Sequence, residues 1–123
     1  MKRVDIARLR EIAEVEFTAI VEDGIILDIN ELRIILIDGS FVDVWYSLTL
    51  SNRYSYHWER RAIDGTIYRH DNAPHKRWIV VATFPKHFHD GDELNVGESH
   101  LGDDPMEAVR EFLAFVKEKT KLA

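Results

Sequence analysis

Hydrophobic positions along the chain predict a helix at each end and a run of strands between them. From Asp5 to Glu14, good helix formers carry a modest apolar stripe at helical spacing. Near the other end, Asp104 is a capping residue, Pro105 suits the first helical position, and Met106 begins a second apolar stripe. We expect both helices to cover a sheet.

Between the helices, segments rich in Val, Ile, Tyr and Trp alternate with turn-forming residues. Asp-Gly favours tight turns because both residues tolerate positive φ, and three such pairs separate these segments: Asp23-Gly24, Asp38-Gly39 and Asp64-Gly65. The predicted strands are 16–22, 25–29, 31–37, 41–50, 53–61, 66–71 and a short one, Trp78 to Thr83. The pattern predicts an α+β fold, a curved antiparallel β-meander of about six to seven strands with two flanking helices, in one domain over residues 1–123.

Composition and charge narrow the classes of function. The absence of cysteine excludes disulfide scaffolds, thiolate nucleophiles and Cys-ligated metal sites. No signal-like N-terminus or long apolar run is present, so we expect a cytoplasmic protein with no membrane association. The net charge is −6, but residues 53–89 carry seven basic and three acidic side chains and five of the six histidines. This basic segment either attracts phosphate or pairs with its acidic flanks.

The first candidate cluster is the segment 54–58, with the sequence Tyr-Ser-Tyr-His-Trp. Side chains alternate along a strand, so its three aromatic residues share one face while His57 lies on the other. A two-residue turn at Asp64-Gly65 would place Arg60 opposite Arg69, and an anion between them would relieve the repulsion. The aromatic residues are either a platform for nucleic-acid bases or part of the core.

The second cluster is the segment 69–75, where a predicted strand ends in a loop. The loop offers a carboxylate at Asp71, an amide at Asn72 and an imidazole at His75. Asp71 either orients a histidine, as carboxylates do in acid/base sites, or closes an Asx-turn.

The third cluster contains His87 and His89, which project to the same side of an extended segment. Such a pair either binds a transition metal or supplies an acid and a base to one phosphate. Glu93 completes a His-x-His-x-x-x-Glu spacing that is similar to the first metal-binding motif of cupins, although the flanking glycines of that motif are missing. A metal site here would use His87 and His89 with Glu93 or Asp71.

Three motifs in this order resemble the TumE family of small prokaryotic proteins, the toxin components of type II toxin–antitoxin pairs. They are Tyr-Ser-Tyr-His-Trp (54–58), Arg-x-Asp-Asn-Ala-Pro-His (69–75) and Phe-Pro-x-His-x-His (84–89). The resemblance covers roughly residues 14–120. At position 70 the family usually has an aromatic residue, so His70 is not expected in a shared site.

The resemblance implies a cognate antitoxin, typically a small helix-turn-helix protein. Several toxins of this size act on RNA, so RNA is the expected target. A site rich in His and Arg suits metal-independent RNA cleavage, in which one imidazole accepts a proton and another donates one. The expected catalytic residues are His57, Asp71, His75, His87 and His89. The expected substrate-binding residues are Tyr54, Tyr56, Trp58, Arg60, Arg69, Asn72 and Lys86.

Two other classes of function stay open at this stage. One is a cupin-like protein with a transition metal as its cofactor, and the other is a binding module without chemistry. A meander also leaves edge strands, which can form a homodimer or receive an antitoxin segment.

Overall fold

The sheet in this computed structural model, which describes residues 3–121, is a continuous antiparallel meander. Its seven strands lie in sequence order, β1 to β7, and each pairs with the next. The elements are α1 (Ile6–Glu16), β1 (Val21–Asp28), β2 (Glu31–Leu36), β3 (Phe41–Tyr46), β4 (Tyr54–Arg60), α2 (Arg61–Asp64), β5 (Thr66–Asp71), β6 (His87–Asp90), β7 (Val96–Glu98) and α3 (Pro105–Lys121). The predicted α+β meander with an N-terminal and a C-terminal helix is confirmed.

The hydrophobic core lies between one face of the sheet and the two long helices, α1 and α3. Buried and half-buried positions alternate along β2, β3 and β4, as expected for strands with one covered face. Each fully buried aliphatic or aromatic side chain contributes about 1.5–3 kcal/mol of transfer free energy. The central side chains of this core are Leu32, Ile34, Val42, Val44, Tyr56 and Trp58 from the sheet and Leu9, Ile12, Phe112, Leu113 and Val116 from the helices.

Each long helix begins directly after a capping aspartate, Asp104 as the sequence predicts and Asp5 without a prediction. The Asp5 carboxylate accepts a hydrogen bond from the backbone N–H of Arg8 (3.0 Å), and the Asp104 carboxylate accepts one from that of Glu107 (3.1 Å). These carboxylates satisfy N–H groups that have no partner inside the helix. The first helix continues to Glu16, so the strand predicted over 16–22 is wrong and β1 begins at Val21.

The first Asp-Gly pair lies inside β1 rather than in a turn. Gly24 pairs with Ile34 of β2, and the chain reverses only after Asp28. A β-carbon on Gly24 would lie 2.6 Å from Cγ of Arg10, a distance that real contacts do not allow. The glycine is therefore needed because α1 crosses the strand closely at this point, which no local turn pattern reveals.

The connection between β4 and β5 also differs from the prediction, and it changes the register. The chain forms the short helix α2 followed by Gly65 in the left-handed conformation (φ 79°), instead of a two-residue turn. His57 therefore lies opposite Arg69, and Arg60 lies opposite Thr66. The predicted pairing of Arg60 with Arg69 is wrong.

The predicted strand from Trp78 to Thr83 does not form. A 3₁₀ helix covers Lys76–Trp78, and the segment continues through successive tight turns in which Ile79 donates to Lys76 and Val81 donates to Trp78. The position beside β5 in the sheet is occupied by β6 instead. We refer to residues 72–86, which connect β5 to β6, as the cover segment.

Candidate functional site

Polar side chains line the face of β4, β5 and β6 that points away from the helices. Because residues alternate along each strand, His57 of β4 lies on the face opposite to the core. The register places Arg69 of β5 between His57 and His89, and it places Asp71 directly beside His87. The strand pairing thus brings together residues that are up to 32 positions apart in the sequence.

Asp71, His87 and His89 form a compact group that we call the floor triad. His87 has no solvent-exposed surface, and His89 is 4% exposed. Nε2 of His87 lies 3.1 Å from Oδ1 of Asp71, and Nε2 of His89 lies 3.7 Å from Oδ2. Among the described residues, Nε2 of His87 nevertheless has no partner with the alignment of a hydrogen bond.

The other ring nitrogen of each floor imidazole is fixed by the backbone. Nδ1–H of His87 donates to the carbonyl of Pro85, and Nδ1–H of His89 donates to the carbonyl of Glu93, both at 2.8 Å. A carbonyl can only accept, so both protons sit on Nδ1 in the neutral rings. Both Nε2 atoms then present lone pairs towards Asp71.

Burial and neighbouring charges shift the pKa values of the three floor-triad residues, in several cases in opposite directions. Burial lowers the pKa of His87, but the neighbouring Asp71 carboxylate outweighs it and the pKa lies above its usual value. Burial lowers the pKa of His89, with the positive charge of Arg69 adding to the effect. Burial raises the pKa of Asp71, yet His87 and the backbone N–H of Ala73 bring it below the usual value.

Arg69 is the centre of a charged network above the floor triad. Its guanidinium group binds both carboxylate oxygens of Glu93 (2.7 and 3.0 Å), and its Nε lies 3.3 Å from Oδ2 of Asp71. Its Nη1 also contacts Nδ1 of His57 at 3.2 Å. A bidentate pair of this kind matches the geometry of either a carboxylate or a phosphate.

His57 is held in one tautomer by its two neighbours. Guanidinium groups only donate, so Nδ1 of His57 accepts from Arg69, and its Nε2–H donates to Glu59 (3.0 Å). Burial raises the pKa of Glu59, but the hydrogen bonds from His57 and from the backbone N–H of Arg61 lower it by more. The pKa therefore lies below its usual value, and the carboxylate stays ionised. The Glu59 carboxylate therefore orients the imidazole with its lone pair towards Arg69.

A hollow open to solvent lies over the floor triad, between the cover segment and the β6–β7 turn. His75 and Arg77 lie exposed at its rim, and the Trp78 ring lies 5.8 Å from the ring of His89. The hollow is lined by Arg69, Asp71, His75, Arg77, Trp78, His87, His89, Glu93 and Leu94. Five of these residues come from the expected site: Arg69, Asp71, His75, His87 and His89.

The three aromatic residues predicted as a base platform lie elsewhere. Tyr54, Tyr56 and Trp58 are at most 3% exposed and pack in the core on the opposite face of the sheet. A substrate in the hollow therefore cannot stack on them. The alternative interpretation, that they are core residues, agrees with their position.

Three further predicted substrate-binding residues also have structural partners away from the hollow. Arg60 is bound by Asp38 (2.6 Å) and by the carboxylate of Asp64. The Asn72 side chain links the backbone of Tyr54 to that of Asn52, and Lys86 donates to the carbonyl of Leu101. These contacts hold loops in place, so Arg60, Asn72 and Lys86 lie outside the site.

His70 and His100 lie apart from the hollow as well. His70 stacks on Phe88 with ring centroids 4.3 Å apart, on the helix side of the sheet, and donates to or accepts from Ser99. Burial lowers the pKa of His70 to about 4. An aromatic ring would fill the same space beside Phe88.

The sequence does not predict Glu59, Arg77 or Trp78 as site residues, and it predicts Glu93 only as a metal ligand. Glu59 was detectable, because it lies two residues after His57 and therefore on the same face of the strand. The sequence predicts a strand from Trp78 and no element for Arg77, so it does not indicate that either residue approaches the histidines. The contact of Glu93 with Arg69 depends on the sheet register and the β6–β7 turn together.

Comparisons with known proteins give one match. A family model described as Toxin TumE matches residues 3–120, which is nearly the whole chain. No curated protein and no solved structure matched. None of the helices within residues 3–121 combines the length and the apolar character needed to cross a bilayer.

Proposed function

Because the chain belongs to the TumE toxin family, we propose that it acts by cleaving RNA at the hollow above the floor triad. The observation that supports this proposal best is the position of Arg69, a guanidinium group that lies between His57 and His89. Phosphodiester cleavage requires a group that stabilises charge on phosphorus and groups that transfer protons beside it.

In this proposal the substrate phosphate replaces the Glu93 carboxylate on Arg69. Both ligands carry two oxygens that fit the fork of the guanidinium group. Glu93 belongs to an exposed turn, and its carboxylate is about half exposed, so it can move aside at low cost. Arg77 at the rim adds a second positive charge, in place of the Lys86 predicted from the sequence.

His57 is the proposed base. When Arg69 turns towards phosphate, Nδ1 of His57 loses its donor, and its lone pair can accept the proton of the ribose 2′-hydroxyl. Glu59 remains bound to Nε2–H and stabilises the imidazolium ion that forms, as a carboxylate does beside a catalytic histidine. The 2′-oxygen then attacks phosphorus.

His75 is the proposed acid, because it lies at the rim where a leaving group would reach solvent. The P–O5′ bond breaks, and the 5′-oxygen takes the proton from the His75 imidazolium. The products are a 2′,3′-cyclic phosphate and a 5′-hydroxyl. Proton transfer in this scheme uses imidazoles alone, as the sequence predicts, and Trp78 offers the ring on which a single-stranded base can stack.

The test is cleavage of a defined single-stranded RNA by the purified chain, with the products identified by mass. We expect His57→Ala or His75→Ala to lower the cleavage rate about 10²–10⁴-fold. Glu93→Gln is expected to lower KM, because the amide competes less well than a carboxylate for Arg69. His100→Ala, an exposed histidine outside the hollow, is the matched control and should cleave like the parent.

Two results would contradict the mechanism. One is an unchanged rate in both His57→Ala and His75→Ala, and the other is cleavage at a nucleotide whose 2′-hydroxyl has been removed. Unchanged cellular RNA during growth arrest would refute RNA as the target.

Membership of a toxin family implies a cognate antitoxin, and we propose that it is a small helix-turn-helix protein that binds the edge strand β1. Among residues 3–121 this strand pairs with β2 alone, and it leaves three apolar side chains more than 40% exposed: Ile25, Ile26 and Leu27. A strand added here would satisfy the free backbone groups. Charged substitutions at Ile25 and Leu27 should abolish co-purification with a co-expressed cognate antitoxin, and a dimer of the chain alone would instead assign this edge to self-association.

A further inference from the structure

Two buried imidazole nitrogens and one carboxylate converge in the floor triad, and we propose that Asp71, His87 and His89 bind one divalent transition-metal ion. The inference goes beyond RNA cleavage, because it needs no assumption about the substrate. It rests on hydrogen bonding, distances and burial in the triad alone.

The backbone carbonyls of Pro85 and Glu93 determine where the lone pairs of the two imidazoles point. Each carbonyl binds an Nδ1–H at 2.8 Å, so both Nε2 lone pairs face Asp71. Histidines that bind metals almost always donate their second ring N–H to a carbonyl or carboxylate in this way. Both imidazoles of the triad have that arrangement.

The Nε2 lone pairs and the Asp71 carboxylate are all electron-rich and repel one another. A proton or a cation between them removes this repulsion. A proton on Nε2 of His87 would do so through a hydrogen bond to Asp71, but the two atoms lack that alignment although they are 3.1 Å apart. The fully buried Nε2 atom therefore has no aligned hydrogen-bond partner among residues 3–121. A metal ion does not need Nε2 of His87 to be aligned with the Asp71 oxygen. It can bind one atom from each of Asp71, His87 and His89 at once.

The spacing of the three ligand atoms suits an ion of this size. With metal–ligand bonds of about 2.0–2.1 Å, octahedral or tetrahedral coordination separates adjacent ligand atoms by about 2.8–3.4 Å. The observed separations from Asp71 to the two Nε2 atoms are 3.1 and 3.7 Å, and one ligand atom from each residue lies within 4.8 Å of the others. Small side-chain adjustments bring all three onto one ion.

The charge balance and the donor set indicate which ions fit. Glu93 matches the charge of Arg69, so the negative charge of Asp71 remains available to a cation even though Arg69 lies beside it. Two imidazoles and one carboxylate suit Zn²⁺ and neighbouring first-row ions, and the hollow leaves further coordination positions open. The Glu93 carboxylate, predicted from the cupin-like spacing, is engaged elsewhere and is replaced by Asp71.

The experiment measures Co²⁺ and Zn²⁺ binding by the full chain, prepared without a histidine tag. We expect one ion per chain by elemental analysis and a Co²⁺ absorption spectrum that Zn²⁺ removes by competition. Asp71→Asn and His89→Ala should weaken binding by at least about tenfold, since even substitutions that only orient ligands cost about 10–100-fold. His100→Ala, which removes an exposed imidazole beside Glu98, should bind like the parent.

A measurement on the parent chain keeps the test valid if a variant fails to fold. The Nδ1–H protons of His87 and His89 are buried and hydrogen-bonded, so their NMR signals should be observable and should shift strongly when Co²⁺ binds. Absence of binding, or shifts confined to His75 and His100, would overturn the proposal. A chain that binds no metal but cuts RNA refutes the metal site alone, and a chain that binds metal at the triad but cuts no RNA refutes the proposed function alone.

Discussion

The hydroxyl group of Tyr54 allows a sharp test of the core, because its environment differs from that of its neighbour Tyr56. Tyr54 is 3% exposed, and among the described residues its hydroxyl has no hydrogen-bond partner. The hydroxyl groups of Tyr46 and Tyr56 bind each other at 2.6 Å. The same substitution, Tyr→Phe, therefore removes an unpartnered group at one position and a partnered group at the other.

The two variants should shift stability in opposite directions. An unpartnered buried hydroxyl costs about 1–3 kcal/mol of desolvation, so Tyr54→Phe should raise the free energy of unfolding by up to that amount. Tyr56→Phe loses a hydrogen bond and leaves Tyr46 without its partner, so it should lower the free energy of unfolding by about 1–3 kcal/mol. The rings keep their edge-to-face packing in both variants, with centroids about 5.9 Å apart.

Urea unfolding followed by circular dichroism measures both values. The dependence on urea concentration should be the same in all three proteins, because the surface exposed on unfolding does not change. Destabilisation by Tyr54→Phe as large as that by Tyr56→Phe would contradict this prediction. Such a result would mean that the Tyr54 hydroxyl has a partner after all.

Three further predictions concern the helix–strand contact, alkaline pH and the last helix. Gly24→Ala should lower the free energy of unfolding by about 1–3 kcal/mol because its β-carbon would collide with Arg10, whereas Gly97→Ala, with no atom within 4 Å of the new carbon, should raise it by about 0.4–1 kcal/mol. Urea unfolding measures both variants. Because both glycines lie in strands, a loss of stability in Gly24→Ala alone identifies the contact with Arg10 as the cause. Burial raises the pKa of Tyr54 to about 12, so the stabilisation from its neutral phenol is complete below pH 10 and is lost as the pH rises towards 12. Unfolding curves at pH 8 and above pH 10 should show that loss in the parent and less of it in Tyr54→Phe. Asp104→Ala removes the cap of α3 and should cost about 0.5–2 kcal/mol, and an unchanged thermal midpoint would contradict this role.

The sequence predicts most of the fold because its signals are local. Apolar stripes indicate both long helices, a capping residue adds to the signal for α3, and alternation identifies β2, β3 and β4. The errors occur where tertiary contacts decide the local structure. Gly24 is required because a helix crosses the strand there. The segment 79–83 is rich in β-branched residues but forms turns, and β6 pairs with β5 instead.

Alternation along the strands predicts part of the candidate site but not its geometry. Alternation places His57 on the face opposite to the aromatic residues, and His87 and His89 on a common side. The register between β4 and β5 depends on a four-residue helix that the Asp-Gly pattern does not indicate, and this register decides which residue contacts Arg69. The direction of each lone pair depends on backbone carbonyls, which every residue carries and no sequence pattern marks.

Glu93 contributes to the site in two chemically separate ways, and they constrain its evolution differently. Its carbonyl group orients His89, and any amino acid that keeps the turn supplies the same atom. Its carboxylate occupies Arg69, and only an acidic residue supplies that. Substitution here can therefore release the Arg69 guanidinium group from its carboxylate without disturbing the imidazole of His89.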